Sequence, residues 1–398
     1  MIKKNLLFIT WDGSQTSYME GLFMPIFKEI SAHEAISFHV IQFTWGTKER
    51  TQITSRFAEN LGIKYTSFKI NRKPVAIIGS LFSILKGIGF VKNYIREHNI
   101  DIVMPRSTMP AIMVNRIKNI NIKIIFDADG LPLEERIDFA GLSRNSKQYL
   151  WFKAEETKML KNADGVITRS HRSVDFHLKT IGVSYKNKFN VVFNGRNSTF
   201  FKPNREEKTH TRTELGISDN DKVFVYCGSL GPQYGWNEMT MIFENYLNNH
   251  SNAFFLILTG SPSFAENNLS DSIKKNTIIK SVAFDEVPKY LNVADVAFAF
   301  REPRLSMQGV APIKLGEYLL MNLPTIASAG IGDTEAILKT APNCLLFYHD
   351  NPEMISITNH FLENLSSVKE DEIRKFGLVY FSIEKSAESY IQALKKLT

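Results

Sequence analysis

Short apolar runs alternate along the chain with longer segments in which apolar residues recur at helical spacing. The short runs are bounded by polar or turn-forming residues and are typical of buried strands. They lie at residues 5–10, 37–43, 64–70, 101–104, 123–126, 165–169, 190–193, 222–227, 254–259, 277–282, 296–300, 325–327 and 344–348. The longer segments predict helices at residues 18–30, 50–61, 147–161, 173–180, 236–248, 285–291 and 384–397. This alternation predicts parallel sheets with right-handed crossovers and hence an α/β fold.

The chain is long enough for two domains, because its 398 residues exceed the usual size of one hydrophobic core. A candidate linker follows Asn194-Gly195, where the polar run 202–213 contains Pro203 and several basic residues. We therefore predict two Rossmann-like, doubly wound halves, an N-terminal domain of residues 1–200 and a C-terminal domain of residues 201–383. Two such halves enclose a cleft that is lined by loops from both.

The composition also predicts the cellular compartment of the protein. With 43% hydrophobic and 22% charged residues, the chain is an ordinary globular one. Its two cysteines, Cys227 and Cys344, lie in apolar runs and are predicted to be reduced core residues of a cytosolic protein. Residues 1–10 have neither the long apolar stretch nor the small-residue cleavage site of a signal peptide. We therefore expect a cytoplasmic location.

The net charge of +7 suits an anionic partner. An anionic ligand and an anionic membrane surface both fit, although a charge this modest on a long chain also needs no partner. Nucleic acid is a third candidate, but the sequence has no zinc-ligand spacing, RNP-like motif or dense basic run. We predict no nucleic-acid partner.

The most apolar segment runs from Pro74 to Val91 and is almost long enough to span a bilayer. Lys86 lies inside it, and Gly79, Gly87 and Gly89 weaken its helical tendency. The segment is predicted to be a helix that the fold covers on most sides. The alternative is a monotopic contact with a membrane, on the cytoplasmic face, because lysines flank apolar surface here.

The stretch 301–333 contains the clearest candidate site. It follows a predicted strand, and Pro312 opens a helix that carries Lys314 and Glu317. A strand, a loop and a helix N-terminus form an anion site, because free N–H groups and the helix dipole point at the ligand. The two side chains are three residues apart and share a helix face, so that one can meet a phosphate and the other a sugar hydroxyl. The alternative is an ordinary turn with a surface Lys–Glu pair.

Two further loops follow predicted strands. The polar loop 11–16 contains Gly13, and the turn 228–235 is rich in glycine, which suits a close backbone approach to phosphate. Neither has a dinucleotide fingerprint or a P-loop. Asp127 and Asp129 also follow a strand, where carboxylates are well placed for a site, although they are common loop residues too.

In this order, Asn194-Gly195, the turn Gly228-Ser229-Leu230-Gly231 with Tyr234, the helix start 312–319 and Gly330-Ile331-Gly332-Asp333 carry a family resemblance. The chain resembles the GT-B-fold retaining glycosyltransferases of family four. It is most similar to a branch that acts in bacterial surface-polysaccharide assembly (capsule, O-antigen or exopolysaccharide). The likeness covers nearly the whole chain and is most specific from Val296 to Asp333.

The resemblance implies two domains that close on a nucleoside-diphosphate sugar, a UDP- or GDP-sugar, which the second domain mainly binds. The first would bind a saccharide or lipid-linked acceptor, and the last helix, residues 384–398, would pack back on it. The implied catalytic residues are Asp127, Lys314 and Glu317, with Glu317 on the ribose. The implied nucleotide-sugar-binding residues are Gly13, Asn194, Gly228, Ser229, Tyr234, Phe284, Arg301, Gly309, Val310, Ala311, Pro312, Lys314 and Glu317.

The sequence departs from the family in three respects. In the segment Asp127-Ala128-Asp129-Gly130, Ala128 stands where the polysaccharide branch has an arginine. Gly309 stands where many members have a second glutamate, and Gln233 and Tyr234 stand where many have an Arg–Lys pair for the leaving diphosphate. Arg301, Arg304 or Lys314 would then supply the missing charge, because stabilising the departing phosphate is the largest task of this chemistry.

The leading hypothesis is metal-independent transfer of a sugar with retention, in which the leaving phosphate helps to deprotonate the acceptor and Asp127 orients it. No Asp-x-Asp pair stands at a nucleotide position, so no metal ligand and no cofactor beyond the donor is predicted. One alternative is a nucleotide-sugar-binding protein that is catalytically weak or inactive and partners an active enzyme. Another is a GT-B-type sugar-nucleotide epimerase.

Overall fold

The structure is a computed structural model that describes residues 3–14, 17–73, 75–365 and 371–397. Gln15 and Thr16 of the predicted loop 11–16, Pro74 of the apolar segment and Thr398 of the last predicted helix lie outside the described residues.

The strands lie close to the apolar runs that predict them. Their bounds are β1 Lys4–Asp12, β2 Ile36–Thr44, β3 Lys64–Lys69, β4 Ile102–Pro105, β5 Lys123–Asp129, β6 Gly165–Thr168, β7 Phe189–Val191, β8 Lys222–Cys227, β9 Ala253–Leu258, β10 Thr277–Lys280, β11 Val296–Ala299, β12 Thr325–Ser328 and β13 Cys344–Phe347.

The helices cover more of the chain than the periodic segments predict. Their bounds are α1 Met24–His33, α2 Lys48–Asn60, α3 Ala76–Glu97, α4 Thr108–Val114, α5 Pro132–Ala140, α6 Lys147–Asn162, α7 His171–Ile181, α8 Arg205–Glu214, α9 Trp236–Asn249, α10 Pro262–Asn268, α11 Asp271–Lys274, α12 Val287–Leu291, α13 Ile313–Leu320, α14 Thr334–Leu338, α15 Met354–Glu363, α16 Glu372–Phe381 and α17 Ile383–Lys395. A single π-helical turn, Met19–Phe23, precedes α1, and short 3₁₀ turns lie at Val183–Lys188, Phe284–Glu286 and Leu305–Gly309.

The strands form two sheets in which neighbouring strands pair in parallel. The seven-stranded sheet has the order β3-β2-β1-β4-β5-β6-β7, and the six-stranded sheet has the order β10-β9-β8-β11-β12-β13. In each sheet the first strand along the chain lies in the middle and the order reverses beside it, which is the doubly wound arrangement. The predicted fold class is therefore confirmed.

The chain divides into two compact units. Unit 1 consists of residues 1–195 and 383–398, and unit 2 of residues 196–382. Helix α17 lies in unit 1, where it packs on α1 and on the edge of the sheet formed by β6 and β7. The boundary falls at Gly195, whereas the sequence predicts it at residue 200.

The predicted linker 202–213 is wrong. Helix α8 occupies most of it, because the side chain of Asn204 caps its N-terminus by accepting from the N–H of Glu207 at 3.1 Å. Thr211 and Arg212 of this helix are buried in unit 2. A polar run with a capping residue and acidic residues in its first turn forms a surface helix, which composition alone does not distinguish from a linker.

Helix α3 corrects the expectation that the apolar segment is covered on most sides. Only 28% of its most apolar 18-residue window is buried, although the helix is long and apolar enough by composition to span a membrane. The glycines on its buried face allow close packing, since a Cβ on Gly87 would lie 2.5 Å from the sulfur of Met113 and 2.8 Å from Phe43. Its other face is apolar and exposed, at Val75, Ile77, Ile78, Leu81, Phe82 and Leu85.

Candidate functional site

The strand order locates a candidate site in each unit. Ligands of open parallel sheets bind outside the carboxyl ends of the strands, at the point where the order reverses. In unit 1 this point lies between β1 and β4, and in unit 2 between β8 and β11. Gly13 and Arg106 directly follow these strands in unit 1, and Gly228 directly follows β8 in unit 2. Arg301 comes after β11, one residue further on, behind Phe300.

In unit 2, Lys314 and Glu317 come together on the first turns of α13. The Lys314 ammonium donates to Oε2 of Glu317 at 2.8 Å. Glu317 is fully buried, whereas 33% of the Lys314 side chain is exposed, so a ligand can reach the lysine but not the carboxylate. Pro312 lies at the N-cap with φ −66° and ψ 111°. The alternative of an ordinary surface Lys–Glu pair is therefore wrong for the carboxylate.

Arg196 is a third member of this group that the sequence does not single out. Its Nη2 lies 2.9 Å from Oε1 of Glu317, so the two carboxylate oxygens each meet a different cation. The Arg196 side chain is 8% exposed, and its Nε and Nη1 are buried with no hydrogen-bond partner. Its N–H donates to the carbonyl of Phe381 at 2.8 Å, which fixes this segment beside α16.

The two cations set the protonation of Glu317. Burial alone would raise the pKa of Glu317, but the charges of Lys314 and Arg196 and their hydrogen bonds outweigh it and lower the pKa below its ordinary value. Burial likewise opposes the charge on Lys314, but the adjacent Glu317 carboxylate raises the pKa of Lys314. Lys314 and Glu317 are therefore both ionised at neutral pH.

The glycine-rich turn after β8 lies against α13. The hydroxyl of Tyr318, a buried α13 residue, accepts from the N–H of Cys227 at 2.8 Å. The hydroxyl of Tyr226 donates to the carbonyl of Ser229 at 2.5 Å and ties the turn to its strand. Gly235 ends the turn in the left-handed conformation, with φ +55°, and a Cβ there would lie 3.0 Å from Phe300. These contacts hold the predicted Gly228 turn beside the helix that carries Lys314.

Of the predicted cations Arg301 and Arg304, only Arg301 has a described contact with the same turn. Arg301 lies over the Tyr234 ring, 5.0 Å from its centroid, so these two predicted residues do contact each other. Arg304 is exposed and lies 3.4 Å from the carboxylate of Glu302.

The remaining predicted residues of unit 2 have various surroundings. The N–H of Val310 donates to the carbonyl of Met307 at 3.2 Å, so the amide that the resemblance assigns to the diphosphate is engaged within its own loop. Gly309 is buried, Ala311 is partly buried and Ser229 is exposed. Phe284 is 44% exposed, and the Arg196 guanidinium lies 5.7 Å from its ring centroid.

One group in the described part of unit 2 has the donor set of a metal site. Glu238, Glu302 and His349 each offer a ligand atom, and these atoms lie within 4.8 Å of one another. The His349 Nε2 lies 2.8 Å from the hydroxyl of Ser328 at the end of β12, which fixes the ring. Two carboxylates and an imidazole suit a divalent cation, but Nδ1 of His349 also lies 3.4 Å from Glu238 and stabilises the group as an ion pair when protonated.

In unit 1, a buried ionic cluster occupies the carboxyl ends of β1, β4, β5 and β6. Its members are Asp12, Arg106, Asp127, Asp129 and Arg169, with the ring of Tyr390 from α17 lying 5.9 Å from the Arg169 guanidinium. The sequence singles out only the two aspartates of β5. Gly13 and Asn194, the other predicted residues of this unit, are partly buried.

Asp127 and Asp129 have different surroundings within the cluster. Asp127 is fully buried and accepts from Nη2 of Arg169 at 2.8 Å and from the N–H of Asp129 at 3.0 Å. Asp129 is 30% exposed and lies 2.5 Å from Nη2 of Arg106. The pairing of β5 with β6 shifts register between these residues, and Asp129 has φ +60°. Strain of this kind at the end of a strand is typical of functional residues.

Burial controls protonation in this cluster. It raises the pKa of Asp12, and the Arg106 charge with hydrogen bonds from Gln42 and Thr10 only partly opposes this effect. It also raises the pKa of Asp127, although the guanidinium of Arg169 acts in the opposite direction. Asp12 and Asp127 therefore take up a proton more readily than isolated aspartates would.

Comparisons with known proteins identify the fold. No family model matches the chain, and no curated protein matches it. HepE from Anabaena in complex with UDP-glucose has a TM-score of 0.72 at 14% identity, covering 98% of this chain and 99% of HepE. WaaB, a lipopolysaccharide outer core galactosyltransferase, has a TM-score of 0.68 at 14% identity over 99% and 100% of the two chains. UDP-GlcNAc 2-epimerase from Neisseria meningitidis bound to UDP-GlcNAc has a TM-score of 0.61 at 12% identity over 98% and 100%. The chain therefore has the GT-B fold of glycosyltransferases, as predicted.

Proposed function

We propose that the protein transfers a sugar, with retention, from a UDP- or GDP-sugar to a saccharide or lipid-linked acceptor in cell-surface polysaccharide synthesis. The observation that carries this proposal is the accessible Lys314, held by the buried Glu317 at the switch point of a Rossmann-like sheet. HepE bound to UDP-glucose supports the donor class. The lipopolysaccharide galactosyltransferase WaaB supports the acceptor class.

The proposed reaction breaks the bond between the anomeric carbon of the sugar and the diphosphate oxygen, which keeps the electron pair. Lys314 and the α13 N-terminus stabilise the charge that develops on this oxygen. The acceptor oxygen attacks from the same face, and its proton passes to the leaving phosphate, so the reaction itself requires no metal. Asp127 is buried and acts through its neighbours Arg169 and Asp129, which it positions.

The test is a chromatographic assay of the purified protein against a panel of UDP- and GDP-sugars with mono- and oligosaccharide acceptors. Consumption of one donor with a new glycoside, whose anomeric configuration matches the donor by NMR, is the expected result. An inverted product would overturn retention. A protein that binds no member of the panel in calorimetry would overturn the whole proposal.

The epimerase alternative is favoured by the match to the Neisseria enzyme. Epimerisation of UDP-GlcNAc inverts the second carbon of the sugar and needs no acceptor. If the epimerase also hydrolyses its substrate, water replaces UDP at the anomeric carbon, so that free sugar and UDP are released. Incubation with UDP-GlcNAc alone, followed by NMR of the sugar at its second carbon, separates the two activities. An epimerised sugar would support the alternative, whereas slow release of the unchanged sugar is the hydrolysis expected of a transferase. Binding without any turnover would instead indicate the non-catalytic partner protein.

A peripheral location on the inner face of the cell membrane is the second part of the proposal. The exposed apolar face of α3 includes Phe82, 57% exposed, and Leu85, 65% exposed. Arg72, Lys73 and Lys86 flank this face and are exposed. Apolar residues that enter the lipid boundary and cations that meet anionic headgroups form an interfacial membrane contact.

Cosedimentation with vesicles tests this contact. The protein is expected to bind vesicles that contain phosphatidylglycerol more than vesicles of phosphatidylcholine alone. The double variant Phe82→Ser/Leu85→Ser should lose binding, whereas Val183→Ser, at a 79% exposed apolar position of the same unit, should keep it. Equal binding of all three proteins, or no binding of the wild type, would contradict the membrane contact.

A further inference from the structure

The group formed by Arg196, Lys314 and Glu317 in unit 2 has an excess of positive charge. Arg196 and Lys314 contribute two positive charges and Glu317 one negative charge, so the group carries +1 when all three are ionised. Removing charges from water is costly unless partners compensate them, and an unpaired buried cation is one of the most destabilising features of a protein interior. An excess of this kind is compensated when an anion binds at the exposed end of the group.

The exposed end is Lys314. The carboxylate of Glu317 is fully buried and divides its two oxygens between Arg196 and Lys314. If Glu317 met Lys314 alone, the pair would be neutral and the ammonium would be occupied by its partner. Arg196 neutralises the same carboxylate from the other side, so the positive charge that remains is presented at Lys314.

The position of Arg196 is well defined. It lies at the start of unit 2, where its backbone pairs with Ser382 in a parallel bridge and its N–H donates to Phe381. Gly316, next to Glu317 on α13, packs against the same phenylalanine, because a Cβ at Gly316 would lie 2.8 Å from the Phe381 ring. Both partners of the ion pair are therefore held by the same part of α16.

We propose that Arg196 is a positioning residue that makes the donor site cationic, and that it replaces the Arg–Lys pair that the turn 228–235 lacks. The ligand class is the diphosphate of a nucleotide sugar, so this inference rests on the proposed function. Arg196 acts through Glu317 and through its charge, without touching the ligand, because its Nε and Nη1 are buried. Each positive charge near a departing diphosphate lowers the barrier to its departure.

The experiment compares Arg196→Gln and Arg196→Lys with Arg212→Gln. Arg212 is a matched control, because it is also buried in unit 2 and pairs with a carboxylate, that of Asp295 at 2.6 Å. Calorimetry with UDP, GDP and inorganic pyrophosphate measures affinity, and thermal unfolding measures stability. The Arg196→Gln affinity for the preferred nucleotide is expected to fall about tenfold, the size of one charge interaction at intermediate distance.

Three results would separate a role in binding from a merely structural one. Arg196→Lys should recover most of the affinity, because it keeps the charge. The salt dependence of binding should weaken in Arg196→Gln but not in Arg212→Gln. The double variant Arg196→Gln/Lys314→Gln should lose less affinity than the sum of the single variants, because both residues act on one anion.

Two outcomes would overturn the inference in distinguishable ways. If the wild type binds the nucleotide and Arg196→Gln binds it equally while only its Tm falls, Arg196 is structural and the proposed function survives. If the wild type binds none of UDP, GDP and pyrophosphate, the proposed function falls and the inference falls with it. Binding that depends on Arg196 in a protein that transfers no sugar would keep the inference and reject the transfer.

Discussion

In each unit, charged side chains cluster at the edge of the doubly wound sheet where the strand order reverses, but the net charges of the two clusters have opposite signs. In unit 1 three aspartates meet two arginines, so the cluster carries −1 when every group is ionised. In unit 2 one glutamate meets an arginine and a lysine, which leaves +1. The strand order determines where each site lies, and the residues at the strand ends determine its chemistry.

The charged side chain that each unit exposes to a ligand also has the sign of the cluster to which it belongs. Asp129, with 30% of its side chain exposed, is the carboxylate that unit 1 presents, and Lys314, with 33% exposed, is the ammonium that unit 2 presents. A carboxylate accepts hydrogen bonds from sugar hydroxyls, whereas an ammonium binds phosphate oxygens. We therefore propose that unit 1 recognises hydroxyl groups and unit 2 an anion, and substitutions in each unit test this proposal.

The largest effect is expected at Glu317. Glu317→Gln keeps the volume but removes the charge that holds Arg196 and Lys314, and kcat/KM for transfer should fall about 10³-fold. Alanine is less informative here, because it leaves a cavity and deprives the buried Arg196 of its partner, and breaking a buried ion pair destabilises the fold by about 3–5 kcal/mol. Glu214→Gln, at an exposed ion pair with Lys289 in the same unit, should be neutral. Full activity of Glu317→Gln would refute the assignment of Glu317 as a residue that catalysis requires.

The next effect separates the two units. Asp129→Asn should lower transfer about 10²-fold through loss of acceptor orientation, while UDP affinity and acceptor-free hydrolysis of the donor stay unchanged. Asp164→Asn is the control, because this aspartate has a similar exposure of 34% and pairs with Lys123 at the surface of unit 1. A parallel loss of hydrolysis and transfer in Asp129→Asn would show that unit 1 does not act on the acceptor alone.

Local patterns predict the fold and two of the three charged residues of the unit 2 site. Buried parallel strands are short apolar runs, so all thirteen strands in the described part of the chain lie within a few residues of the predicted runs. The pair Lys314–Glu317 follows from helical spacing, because residues three apart share a face. Helix α8 was missed because a polar surface helix has the composition of a linker until its Asn204 cap is considered.

The remaining charged residues could not be predicted, because their partners are distant in sequence. Arg196 meets Glu317 and Arg169 meets Asp127 only after the sheets have formed. A single arginine after a strand has no periodicity or spacing that predicts its partner. Arg106 and Arg169 could have been recognised as candidate site residues from their position alone, because each directly follows a strand that ends at the predicted ligand-binding edge.

The pH dependence of stability should have opposite signs in the two units. Asp12 has a pKa above its ordinary value of 3.8, so the folded protein gains stability as pH falls from neutral through that pKa. Glu317 has a pKa below its ordinary value of 4.5, so its contribution is complete above pH 4.5 and is lost as pH falls through its folded pKa.

Thermal unfolding of Asp12→Asn and Glu317→Gln, in which an amide replaces the titrating carboxyl group, tests the direction of each pH dependence. As pH falls from 7 to 3.8, the ordinary pKa of an aspartate, the Tm of Asp12→Asn minus that of the wild type should decrease, because only the wild type gains stability as Asp12 takes up a proton. For Glu317→Gln this difference should stay constant above pH 4.5 and become less negative below it. The expected change is about 2–4 °C for each kcal/mol of stability. If both variants showed the same pH dependence of this Tm difference, the proposed electrostatic difference between the two units would be wrong.

The smallest effect is expected from metal removal. If the lysine and arginine of unit 2 carry the diphosphate charge, dialysis against EDTA should change transfer by no more than about twofold, since a metal ion would otherwise supply several kcal/mol of charge stabilisation. The group Glu238, Glu302 and His349 makes this a real test, because its ligand atoms lie close enough to hold a divalent cation. The contrary result is that EDTA abolishes activity and that Mn²⁺ restores it in the wild type but not in His349→Gln. This result would show that a metal at this group, and not Lys314 and Arg196, stabilises the charge of the diphosphate. Unit 2 would then still bind the anion, but through a different set of residues at the same edge of the sheet.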